Sequence, residues 1–213
     1  MRANHTLITR RNFTGSALAA VTILGAARVG AASDIAPTPD QTLGPFYPVQ
    51  HLAETDADLT RIKGHKNRAQ GTVIEVTGRV LDRHGNPVRG ARLEVWQCNA
   101  AGRYAHPNDI AAVPLDPDFQ GYAAITTGQH GDWRITTIKP AGYDSPIGFR
   151  TPHIHFDVRG RSHRLTTQMY FPEDQVTNAK DGVFKNMGGD AVRALARADG
   201  VARYGWDIVL MDG

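Results

Sequence analysis

The sequence holds one cysteine in 213 residues, so it cannot close a disulfide within itself, and a disulfide-stapled scaffold is excluded. Beyond the N-terminus there is no apolar run of about 18 residues, which excludes a chain that crosses a membrane repeatedly. Acidic residues are missing from the first 32 positions, whereas Arg2, Arg10, Arg11 and Arg28 all fall there. The basic pI near 9.2 is therefore a property of that leader. Without it, 20 basic side chains face 21 acidic ones, and nothing in the body suggests a nucleic-acid partner. With 41% hydrophobic and 21% charged residues, the composition excludes a disordered or collagen-like chain. The length suits one globular domain.

The leader has its own pattern. Thr9-Arg10-Arg11-Asn12-Phe13 precedes a short, moderately apolar stretch from Ser16 to Ala27, with small residues at Gly30, Ala31 and Ala32. A charged start, an apolar middle and a small-residue end read as an export signal. The paired arginines resemble the bacterial twin-arginine signal, with cleavage expected after Ala32 or one residue earlier. An uncleaved amphipathic anchor is the competing reading. The signal places the mature protein in the periplasm or outside the cell, with no permanent membrane anchor. That route carries proteins already folded, which favours a bound metal or cofactor.

The expected organisation is a signal over 1–32, an extended arm and loops over 33–71, and a β-sandwich domain over 72–213. Seven segments carry the β-branched content and alternation of strands: Thr72–Leu81, Ala91–Gln97, Gly121–Thr126, Trp133–Thr137, His153–Val158, Leu165–Phe171 and Trp206–Met211. Turn residues such as His84-Gly85-Asn86-Pro87 separate them. One helix is expected, over Met187–Ala198. The fold class is all-β, an antiparallel sandwich with little helix and long active-site loops. Asn99–Gln120 and Lys139–Pro152 are too long to be idle connections.

His153-Ile154-His155 is the centre of the sequence. On a strand both imidazoles project from one face, with Asp157, while Ile154, Phe156 and Val158 face the core. Two histidines on a solvated face are the bland alternative. A zinc or cupin site needs a third histidine or a glutamate nearby. A copper–zinc dismutase needs more histidines and a disulfide, and past His155 only His163 remains. The phenols Tyr104 and Tyr143, in the two long loops, are the remaining option, set against the ordinary reading of packed or interfacial rings. A trivalent cation could draw them into the anionic form. Tyr122 and Tyr170 read as core or edge residues, Tyr47 as part of the arm, and Trp96 and Trp133 as core aromatics. Cys98 reads as buried, and Glu94 and Asp157 as partners of the histidines or as a solvated face.

Three stretches carry a resemblance: Leu93-Glu-Val-Trp-Gln-Cys-Asn-Ala-Ala-Gly-Arg-Tyr104, Ile138-Lys-Pro-Ala-Gly-Tyr143 and Phe149-Arg-Thr-Pro-His-Ile-His-Phe156. They resemble the intradiol ring-cleavage dioxygenases, as do Thr42–Tyr47 and Leu165–Phe171. The resemblance implies one non-haem Fe(III) per chain, held by Tyr104, Tyr143, His153 and His155 with a solvent hydroxide. It gives Arg150 an active-site role, gives Gln168 a place in the pocket, and makes Tyr143 a catalytic ligand that leaves the metal as a phenol. The implied reaction opens a catechol-type diol with O₂ to a cis,cis-muconate-type diacid. The short segment before the first strand favours a compact, protocatechuate-like form. A homo-oligomer or a related partner chain is compatible with it. The rival readings are an exported transthyretin-like binding module without catalysis and a hydrolase using zinc on the two histidines.

Overall fold

The computed structural model describes residues 34–49 and 54–212, together with Met1. The expected signal lies outside the described residues.

Among the described residues, eleven strands and two short α-helices follow in chain order. The first layer is built on β1 (Val73–Asp82), which pairs along one edge with β4 (Asp132–Ile138), antiparallel, in the register Val76↔Ile135. Two strands share its other edge in succession, both parallel to it: β10 (Arg203–Gly205) and β11 (Ile208–Leu210). The chain crosses from one to the other over Gly78, where any Cβ would lie 1.8 Å from the carbonyl oxygen of Trp206. Only glycine lets the backbone pass that close. Short β9 (Arg197–Ala198) closes the layer against β10.

The second layer is antiparallel throughout, in the order β3 (Tyr122–Thr126), β2 (Arg92–Trp96), β7 (His153–Arg159) and β8 (Arg164–Tyr170). Its alternation sends Leu93, Val95, Ile154, Phe156, Val158 and Leu165 inward, all at most 2% exposed, against Val76, Val80 and Ile135. Phe156 sits between Trp133 and Trp206, with ring centroids 5.3 and 5.1 Å away. Truncation at such a site typically costs about 3–5 kcal/mol. All seven expected strands are present, with no end displaced by more than two residues. The sandwich is mixed, because β10 and β11 run parallel to β1.

Two expectations are corrected. No α-helix spans Met187–Ala198. Gly188–Ala194 is a 3-10 stretch with no side-chain cap, entered at Gly188 with φ +57°, and Arg197–Ala198 is strand. Among the described residues the α-helices are α1 (Gln175–Asn178) and α2 (Gly182–Asn186), the latter capped by Asp181. Adjacent glycines weaken a helix start, whereas a capping carboxylate fixes one. Within the stretch read as irregular, β5 (Tyr143–Ser145) and β6 (Gly148–Arg150) form a small hairpin, so that Tyr143 stands opposite Arg150.

Candidate metal centre

The outer face of the second layer is also buried, and the site lies there. Register alone assembles it. Trp96 stands opposite His155, His155 opposite Gln168, and His153 opposite Tyr170. All five side chains are at most 2% exposed. Trp96 stacks on the His155 ring at 4.8 Å and 11°.

The two long loops bring the phenols. The backbone N–H of Tyr104 donates to Asp109 at 2.7 Å, which anchors that loop. Gly102, at φ +85°, lies so close to the other loop that a Cβ would meet the carbonyl oxygen of Gly142 at 3.1 Å and Cβ of Tyr143 at 3.2 Å. The Tyr104 and Tyr143 rings consequently meet edge to face at 5.6 Å.

Nε2 of His153 lies 3.1 Å from Nε2 of His155 and 3.4 Å from the Tyr104 hydroxyl. The Tyr143 ring is 5.8 Å from that of His153. Nδ1 of His153 donates to the carbonyl oxygen of Thr151 at 2.6 Å, so this neutral ring presents a lone pair at Nε2. Burial, then Arg150, lowers the proton affinity of His153, and burial, then His153 and Arg150, lowers that of His155. Burial raises the Tyr104 phenol well above its ordinary value and pushes Tyr143 up to about 12.

Two neutral imidazoles and two protonated phenols thus converge in a site where three of the four side chains are buried and Tyr143 is half-buried. Unsupported, it keeps every donor uncharged. A highly charged cation reverses that balance, since its field stabilises the phenolates and imidazole nitrogens are already free to ligate. Nδ1 of His155 is buried without a protein partner. Among the described residues no three His, Cys, Asp or Glu side chains converge on a metal position. The further donors beside the two histidines are the Tyr104 and Tyr143 phenols, a set whose chemistry fits a hard trivalent ion such as Fe(III).

Arg150 and Gln168 join this cluster. Arg150 is 4% exposed, and its Nη2 donates to Oε1 of Gln168 at 2.6 Å. The Tyr170 hydroxyl lies 3.1 Å from the same oxygen and 2.9 Å from Oε1 of Gln41 in the arm. Tyr170 is therefore a site residue rather than plain core, and Trp96 is a wall of the site rather than part of the main core. Trp133 does lie in that core. Cys98 is buried, but with Trp96, Tyr104 and Tyr122 in the site-side cluster.

The arm covers the face. Phe46 stacks on Tyr104 at 4.6 Å, and a Cβ at Gly44 would lie 3.3 Å from Cε1 of His155. Glu94 and Asp157 are buried, and their hydrogen bonds run to other partners than the histidines. Glu94 accepts from the Tyr47 hydroxyl at 2.6 Å and from Arg92 at 2.8 Å. Asp157 accepts from Arg159, Arg164 and Thr166. They fasten the arm and the strand ends. No sequence signal distinguished this use from a ligand-supporting one.

Residues 42–212 match the family model described as a dioxygenase, Dioxygenase_C. The chain belongs to the intradiol ring-cleavage dioxygenase family. It is 44% identical over 146 residues to the protocatechuate 3,4-dioxygenase beta chain of Burkholderia cepacia, covering 66% of this chain and 62% of that one. It is 34% identical over 152 residues to the alpha chain of the Pseudomonas putida protein of that name, covering 67% and 73%. The match thus spans about three fifths of the beta chain's length. Among solved structures, the dioxygenase domain of a dioxygenase–carbohydrate-binding protein fusion from Streptomyces sp. SirexAA-E superposes with a TM-score of 0.63. That match has 27% identity and covers 84% of this chain and 100% of that domain.

Proposed function

We propose that this chain is an Fe(III)-dependent intradiol dioxygenase that opens a catechol-type diol with O₂ to a cis,cis-muconate-type diacid. One observation carries the reading: two phenols and two imidazoles converge in a buried site, with a guanidinium beside them. Tyr104, Tyr143, His153 and His155 would hold the ion. When bound, a ferric ion supplies Lewis acidity that favours the doubly deprotonated diol and makes its ring reactive toward O₂.

The protein's own groups handle charge and protons. Tyr143, half-buried and with a proton affinity raised to about 12, is suited to take up a substrate proton at its phenolate oxygen. Arg150 presents a fixed positive charge to the diolate, and Gln168 orients it. Trp96 and Phe46 exclude water and hold His155 and Tyr104 in place.

The protocatechuate 3,4-dioxygenase beta- and alpha-chain relatives support a protocatechuate-like substrate, and they support assembly with copies of this chain or a related one. The arginine pair supports export by the twin-arginine route to the periplasm or beyond. We infer a signal over 1–32, an arm over 33–71 and a catalytic sandwich over 72–213.

The test is a visible spectrum of iron-loaded protein lacking its leader, before and after anaerobic addition of protocatechuate or catechol. A broad tyrosinate-to-iron band that shifts with diol supports the reading, and iron-loaded protein without colour refutes it. Tyr143→Phe should keep iron and the band from Tyr104 while lowering turnover by roughly 10²-fold or more, the usual scale of proton-transfer catalysis. Unchanged turnover would remove Tyr143 from the chemistry.

A further inference from the structure

A guanidinium stabilises charge on a substrate only from a fixed position. Arg150 is fixed by a residue about thirty positions further along the chain. Asp181 is fully buried, and both its oxygens receive Nε of Arg150, at 3.0 and 3.2 Å. The same carboxylate accepts the backbone N–H of Thr151 at 3.0 Å. It also caps α2, accepting from the backbone N–H groups of Val183 at 2.8 Å and Phe184 at 3.3 Å. One carboxylate therefore ties together a side chain, the backbone that enters the histidine strand, and a helix start.

Thr151 relays this anchoring to the histidines. Its carbonyl oxygen is the acceptor for Nδ1 of His153, and its hydroxyl lies 2.8 Å from Oδ1 of buried Asn178. Asn178 in turn donates to the carbonyl oxygen of Phe171, the residue after β8. Arg150 is held from its other side by Gln168. Burying a lone guanidinium is unfavourable, and Asp181 supplies the charge that makes its burial beside two imidazoles tolerable. Capping alone would need only an acceptor facing α2. The carboxylate instead directs both oxygens at Arg150 as well.

We propose that Asp181 is a positioning residue for the reaction, setting the guanidinium of Arg150 beside His153 and His155. The role rests on the dioxygenase reading, in which Arg150 faces the diolate.

The test is a double-mutant cycle on iron-loaded protein: wild type, Asp181→Asn, Arg150→Gln and the pair. Turnover is expressed per bound iron, and diol affinity is read anaerobically from the visible band. Asparagine keeps an acceptor for the α2 cap and removes the charge. Asp181→Asn should leave iron stoichiometry unchanged, weaken anaerobic diol binding and lower kcat/KM by roughly 10- to 100-fold, as small misplacements do. Added to Arg150→Gln, it should change kcat/KM no further. Losses that multiply in the pair, or wild-type kcat/KM per iron in Asp181→Asn, would overturn the proposal.

Thermal melts give a readout independent of activity. Arg150→Gln strands a buried carboxylate and should melt lower than the double variant, whereas equal or reversed melting points would refute the pairing. Where Asp181→Asn fails to fold, Asp181→Glu enters the same cycle with a smaller expected loss, and its non-additivity with Arg150→Gln decides. Iron-loaded wild type that cleaves no diol refutes the dioxygenase reading, and this role falls with it. Active wild type with multiplicative losses refutes the role of Asp181 alone.

Discussion

Gly44→Ala asks whether the arm presses on the site as the structure has it. Gly44 has φ +74°, and a Cβ there would lie 3.3 Å from Cε1 of His155. The His155 ring is also held by its stack on Trp96. Alanine meets two penalties. The left-handed backbone disfavours it by about 1–2 kcal/mol, of which roughly 0.4–1 kcal/mol is offset by the stiffer unfolded chain. The contact forces a shift of a few tenths of an ångström in a packed site, worth about 1 kcal/mol more. Gly64 separates the two, since it has φ +87° and open space where a Cβ would go. Gly64→Ala should lower stability by about 1 kcal/mol or less, and Gly44→Ala by about 2 kcal/mol. For a domain of this size each kcal/mol moves Tm by about 2–4 °C. The assay pairs thermal melts of metal-free protein with visible spectra of iron-loaded protein. Only Gly44→Ala should displace the tyrosinate band or weaken diol binding, because only its methyl group presses on a candidate ligand. Equal Tm shifts and identical spectra in the two variants would refute the packing of the arm on His155.

Titration tests the same environment from two directions. All six tyrosines are shifted upward, burial being the leading cause in each, with Tyr47 and Tyr143 reaching about 12. The unfolded chain ionises near pH 10, so this contribution to stability is full below that pH and lost as pH rises toward 12. Folded metal-free protein should show little tyrosinate absorbance at about pH 10.5, where unfolded protein shows much. Ferric iron at neutral pH should generate tyrosinate that Tyr104→Phe reduces. Extensive ionisation of the folded protein at pH 10 would contradict the buried environment. The histidines work in the opposite sense. His153 and His155 are held below their ordinary value, so their contribution is full above about pH 6.5 and lost as acid is added. Melts of metal-free protein from pH 8 to 4 should show that decline, and it should shrink in His155→Gln. An unaltered pH profile in that variant would refute the assignment.

Strands were legible because burial imposes a period of two wherever one face is apolar and turns are marked. The run from Thr72, the segment before Gln97 and the histidine strand all have that signal. The hairpin of Tyr143–Ser145 and Gly148–Arg150 has three residues on each side, too few for alternation to register. The helical stretch was misplaced because apolar content after Met187 outweighed its glycine pair. The actual α2 start depends on Asp181, whose cap is an ordinary local signal that its other partners obscured. In the site, His153 and His155 were legible from spacing, and Tyr104, Tyr143, Arg150 and Gln168 through the resemblance. Trp96 and Tyr170 were not, since they reach the histidines through cross-strand register, which sequence spacing does not encode. Gln41, Gly44 and Phe46 reach the site only by the docking of the arm.

That docking is what makes the second sheet unusual. A two-layer sandwich needs each sheet to bury one face, and the other face can be solvated and polar. Here the outer face carries His153, His155, Asp157 and Glu94, a composition suited to water, yet all four side chains are at most 5% exposed. The loops of Tyr104 and Tyr143 and the arm from Gln41 to Tyr47 take the place of solvent. Burying a face of titratable groups is unfavourable unless each is paired or kept neutral. Asp157 and Glu94 are paired with arginines and hydroxyls, whereas the histidines and the two phenols are kept neutral. The groups without countercharges are the ones a cation would need. Glu94 fastens the cover, and the cover shields the donor set from solvent. A perturbation that loosens the arm at Tyr47 and Glu94 should therefore weaken metal binding without touching a ligand.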